Sequence, residues 1–93
     1  MANAKGNKKA VEVDGRKYTV DKSRLESWTA AKMIAAISSA ESESESAAYA
    51  IKLLDYVLGD EMDKVVKACG GADAPAEKVI NLGYEIIGAA SKN

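Results

Sequence analysis

Ninety-three residues, 9.8 kDa, make one small domain. Its core is thin, because a chain this short buries only about 60–65% of the surface its unfolded form exposes. At 47% hydrophobic and 29% charged residues the composition excludes a disordered, collagen-like or membrane-spanning chain, and no apolar run approaches the ~20 residues that cross a bilayer. The chain has no histidine, the commonest general base and metal ligand, and a single cysteine, Cys69, which cannot form an internal disulfide. No enzyme is expected from this inventory, and no cofactor or metal. A reducing cytosol is the expected compartment.

The net charge of −1 is unevenly placed. Residues 1–24 carry seven basic and three acidic side chains, and residues 41–63 carry seven acidic and one basic. A chain with two such poles can pair with itself or with a partner of mixed charge, or simply be solvated.

Residues 1–9, MANAKGNKK, offer nothing to bury and read as a disordered basic tail. No hydrophobic stretch follows them, so a secretory signal is not expected. Residues 10–20 read as a β-hairpin closed by Asp14-Gly15, a preferred two-residue type I′ turn. That register pairs Val13 with Arg16, Glu12 with Lys17 and Val11 with Tyr18. It puts Val11, Val13, Tyr18 and Val20 on one face. Ser23 and Glu26 fit a capping box, and a helix over 23–39 follows with Leu25, Trp28, Met33, Ala36 and Ile37 as its apolar side.

The Ser-Glu repeat at 41–46 reads as a solvated linker whose second half can open the next helix, over 46–58. That helix is the most apolar in the chain. Gly59 stops it, and a short helix over 60–69 carries Met62, Val65, Val66 and Cys69 as a stripe. Asp73, Pro75 and Glu77 mark the start of a last helix over 74–90, where Gly83 suggests close helix packing. The fold expected is α+β and mostly helical: an N-terminal hairpin packed on a bundle of about four helices, in one domain over 10–93.

No motif carries catalysis. The acids Asp55, Asp60, Glu61 and Asp63 lack a calcium-loop pattern, and acids at helix starts are explained by the helix dipole. Cys69 has no base to activate it and reads as a buried structural residue. Gly70-Gly71 lacks the Lys-Ser/Thr of a phosphate loop. Residues 62–87 read as helix, turn, helix, but Lys78 is the one basic residue near the second helix's start, so sequence-specific DNA binding is only the alternative. Weak phosphate contact is expected from Lys5, Lys8 and Lys9 alone. Of Trp28, Tyr49 and Tyr56, two are expected in the core. The second and last helices hold more large aliphatics than a thin core can cover. Ile51, Leu54, Leu58, Ile80, Ile86 and Ile87 are therefore the expected partner-binding residues.

A Val-Asp-Gly-x-x-Tyr-x-Val hairpin (Val13–Val20) leads into Leu25-Glu-Ser-Trp28. A linker, the junction Leu53-Leu54-Asp-Tyr-Val-Leu58-Gly59-Asp60-Glu61-Met-Asp-Lys-Val-Val66 and a proline-opened helix complete the order. In this order of elements the chain resembles the tail assembly chaperones of long-tailed bacteriophages and prophages, over roughly residues 11–90. The resemblance implies a non-enzymatic assembly factor in the host cytoplasm. Such a factor binds the tape measure protein, keeps that long helical protein soluble and assists the tail tube protein to polymerise around it. Self-association is also expected, and a structural homo-oligomer is the remaining alternative.

Overall fold

A computed structural model describes residues 8–92. The chain opens with strands β1 (Lys8–Val13) and β2 (Arg16–Asp21). Helices α1 (Lys22–Leu25), α2 (Trp28–Ser38) and α3 (Glu43–Leu58) follow. A 3-10 turn, Gly59–Glu61, leads into α4 (Met62–Cys69), and a second, Gly71–Asp73, leads into α5 (Ala76–Ser91). The expected architecture, a hairpin followed by helices packed with it, is what the structure shows.

The hairpin forms because its turn residues accept positive φ: Asp14 sits at 55° and Gly15 at 80°. Its register is the expected one, with Val13 opposite Arg16, Glu12 opposite Lys17 and Val11 opposite Tyr18. Val11, Tyr18 and Val20 are buried and Val13 is half-buried, so one face is the core face. The strands run further than expected. Lys8 and Lys9, expected in the tail, belong to β1, and the Lys9 ammonium donates to the Ala90 carbonyl at 3.3 Å. The rest of that tail, residues 1–7, lies outside the described residues.

The helix expected over 23–39 is two helices. Asp21, not Ser23, caps the first: its carboxylate accepts from the Arg24 N–H at 3.2 Å. Ser27 caps the second, accepting from the Ala30 N–H at 3.1 Å. Two side-chain caps six residues apart interrupt the helical run, because each holds its own residue in extended backbone. The break also reverses the expectation for Trp28. The inward stripe of α2 is Ala30, Met33 and Ile37, and Trp28, two residues before Ala30, falls on the opposite side of the helix. It is 77% exposed.

α3 begins earlier than expected. Ser42 caps it by accepting from the Glu45 N–H at 3.1 Å, so most of the Ser-Glu repeat is first-turn helix rather than linker. Glu43 and Glu45 there complement the helix dipole. In α5 the cap position is Pro75 with no side-chain hydrogen bond, and Asp73 belongs to the preceding 3-10 turn instead of capping.

α3 is the axis of the packing. It contacts α2 on one side, α5 on another, and β2 and α4 at its C-terminal half, while β1 lies along α5. Tyr18, Leu54, Ile86, Val20 and Val65 are the largest fully buried side chains and join these elements into one cluster. The close α3–α5 approach is made at Gly83, where a Cβ would stand 2.6 Å from Leu54 Cδ1. Two polar ties fasten the hairpin's exit: the Thr19 N–H donates to Glu61 Oε1 at 2.9 Å, and the Arg24 guanidinium donates to the Tyr56 carbonyl at 3.0 Å while stacking on its ring.

Candidate functional site

Two apolar hollows share a wall. One, of about 380 Å³, lies between α3, α4 and the start of α5, lined by Ile51, Met62, Val66, Val79 and Ile80 with Leu54 at its base. The other, of about 310 Å³, lies between the first turns of α3 and α5, lined by Ala47, Ala50 and Tyr84. Ala76 and Ile80 line both, so the two form one groove. Small residues on both helices, Ala47, Ala50 and Ala76, make it a channel rather than a ridge.

Sequence and packing explain its depth. α3 points Ala50, Leu53, Leu54 and Val57 into the core, which leaves Ile51 on the shoulder, 45% exposed. α4 directs Val65 and Cys69 inward, and Met62 and Val66, one helical shoulder away, meet the groove. In α5 the inward positions are Gly83, Ile86 and Ala90, and Ile80 and Tyr84 flank them, Tyr84 at 38% exposure.

The rim is acidic. Asp55 and Asp63 edge the first hollow, Glu43 and Glu77 the second, and no lysine or arginine lines either. None of the four carboxylates is in an ion pair with another described residue.

Of the six expected partner-binding residues, the structure brings three together here, Ile51 and Ile80 on the walls and Leu54 at the base. Leu54 is fully buried beneath the groove, and Leu58 and Ile86 are core residues, so these three are corrected from surface to interior. Ile87 is half-buried against the core and lines neither hollow. Counting aliphatics showed an excess but not which helical face is covered. Met62, Val66, Val79 and Tyr84 were missed. The wide apolar stripe of α4, two residues broader than its buried pair needs, was the available signal for the first two.

The expectation for the aromatics also changes. Trp28 is exposed, and Tyr49 and Tyr56 are only half-buried, each beneath a cation: Lys52 stands 5.6 Å from the Tyr49 ring and Arg24 5.1 Å from that of Tyr56. Tyr18 is the buried aromatic. Cys69 is buried and free. Among the described residues no group of three His, Cys, Asp or Glu side chains is placed to hold a metal ion, and no helix is long and apolar enough to cross a membrane.

Compared with protein families, curated proteins and solved structures, the chain shows no match.

Proposed function

We propose that the protein is a non-enzymatic binding factor whose α3–α4–α5 groove receives an amphipathic helix. The observation that carries this is the pairing of an apolar channel with an all-acidic rim. A helix that lays Leu- or Ile-type side chains into such a channel covers Ile51, Val66 and Ile80, and lysines or arginines on its flanks meet Asp55, Asp63, Glu43 and Glu77. Docking of this kind keeps an otherwise exposed apolar stripe out of water, which is what holding a long helical client in solution requires.

The resemblance to phage tail assembly chaperones supplies the client: a segment of the tape measure protein, held in the host cytoplasm until the tail tube protein assembles around it. Binding is the reading that the groove supports, because its lining joins apolar shape to acidic charge.

The test is co-expression with a long helical protein of the tape-measure type. The client is expected to be soluble and to elute with the wild-type chain, and to lose both properties with Ile51→Lys, which places a cation on a half-exposed shoulder without touching the core. A client equally soluble without this chain contradicts the proposal. So does an Ile51→Lys variant that turns an oligomer into a monomer and still holds its client, since the groove would then be a contact between copies.

A further inference from the structure

On the opposite flank of α4 from the groove, the open edge of β2 runs beside the helix. A two-residue turn makes Val13 and Arg16 the mutually hydrogen-bonded pair, so the pairs alternate from there, and the Lys17 and Thr19 N–H groups point away from β1. The structure bears this out at Thr19, whose N–H donates outward to Glu61 Oε1 at 2.9 Å. That carboxylate also meets the Lys64 ammonium at 3.3 Å. Thr19 thus shows how this edge is satisfied: an anionic oxygen bridges a strand N–H to a lysine of α4.

Two residues back along the edge the same geometry recurs without the anion. The Lys17 N–H faces outward, and among the described residues nothing accepts from it. The cleft beside it, about 180 Å³, is lined by Arg16, Lys17, Tyr18, Lys64 and Lys67 and by no carboxylate. Tyr18 is 2% exposed, and its hydroxyl is the buried side-chain polar atom left without a partner among the described residues. The Lys17 side chain lies with Glu12 on the other face of the hairpin, which leaves three cations, Arg16, Lys64 and Lys67, beside one strand N–H, and of these Glu61 engages Lys64 alone.

We propose that this cleft between β2 and α4 is a site for a phosphate oxyanion, held by the Lys17 N–H and by the Arg16, Lys64 and Lys67 side chains. It is independent of the groove, which lies on the other flank of α4 and carries the opposite charge. The phosphate is either free or part of a nucleic-acid backbone, and both present the same oxygens. The sequence alone points to Lys5, Lys8 and Lys9 for phosphate contact, because only the fold lays Arg16 and the Lys17 N–H beside Lys64 and Lys67.

The experiment is amide NMR of the full chain, titrated with inorganic phosphate at constant ionic strength held by chloride. The Lys17 amide is expected to shift saturably. Replacing Arg16 and Lys67 together with alanine, both exposed and outside the core, is expected to weaken the response about tenfold or more. Lys52→Ala, a cation on α3 remote from the cleft, is expected to leave it unchanged. A parallel titration with a short single-stranded oligonucleotide separates the sources. Tighter binding than phosphate through the same amide assigns the backbone, and binding of phosphate alone assigns the free anion. An unmoved Lys17 amide, a shift that never saturates, or equal losses in the two variants overturns the site.

Discussion

α2 and α3 are neighbours of similar type with very different shares of the core. α3 buries Ala50, Leu53, Leu54, Val57 and Leu58 and touches β2, α2, α4 and α5. α2 buries Ala30 alone and leans mainly on α3, with Trp28 and Ile34 turned to solvent. Both sequences are rich in helix formers, so propensity does not separate them. The difference is how many sides each helix must cover. α3 is enclosed on three, and its aliphatics are consumed by the fold, apart from Ile51 at the groove. α2 is enclosed on one and carries alanine at four of its eleven positions. An apolar residue count therefore says little about binding until the covered faces are known.

The comparison is broken most severely at Leu54. Leu54→Ala removes a fully buried side chain that touches Gly83 across the helix interface, and a loss of about 2–5 kcal/mol in chemical denaturation is expected. Leu54→Asp is expected not to fold. Gly83→Ala attacks the same contact from α5. The added methyl would stand 2.6 and 2.8 Å from the two Leu54 methyls, so Leu54 must shift from its packed position, and this overpacking is expected to outweigh the helix-propensity gain, for a net loss of about 1–2 kcal/mol. A variant more stable than wild type would show that α3 and α5 can separate slightly without penalty.

On the α2 side the effects shrink. Ser27→Ala removes the cap that starts α2 and is expected to cost about 1 kcal/mol, read as a lower thermal midpoint. Trp28→Ala should change stability by no more than about 0.5 kcal/mol, since the side chain is mostly in water. Its fluorescence in the wild type should already resemble that of solvated tryptophan. A blue-shifted emission would place Trp28 in a contact between copies and reverse the contrast between the helices.

Much of the fold was legible because its signals are local. Asp14-Gly15 dictates a turn and through it every pairing of the hairpin, and Gly59 and Gly70 end helices within a residue or so of the expected places. The split at Glu26-Ser27 was not legible, since Ser23, Ser27 and Asp21 all carry cap chemistry and only packing decides which are used. The site was half legible. Ile51 and Ile80 share their helices with Leu54 and Ile86 at adjacent angular positions, and assigning one to the groove and the other to the core needs the position of α4. Asp55 and Asp63 stand out in the sequence as acids at a helix boundary, but their place along an apolar channel is a tertiary fact.

The central claim is that the acidic rim selects a basic amphipathic helix. It is tested most directly by the affinity of the purified complex with its helical client when Asp55 and Asp63 are both changed to lysine. These exposed substitutions should leave the circular dichroism spectrum intact, weaken binding by about tenfold or more at low salt, and abolish most of its salt dependence. Unchanged affinity in a folded double variant, or an equal loss on reversing Glu12 on the solvent face of the hairpin, would contradict the groove as the binding surface.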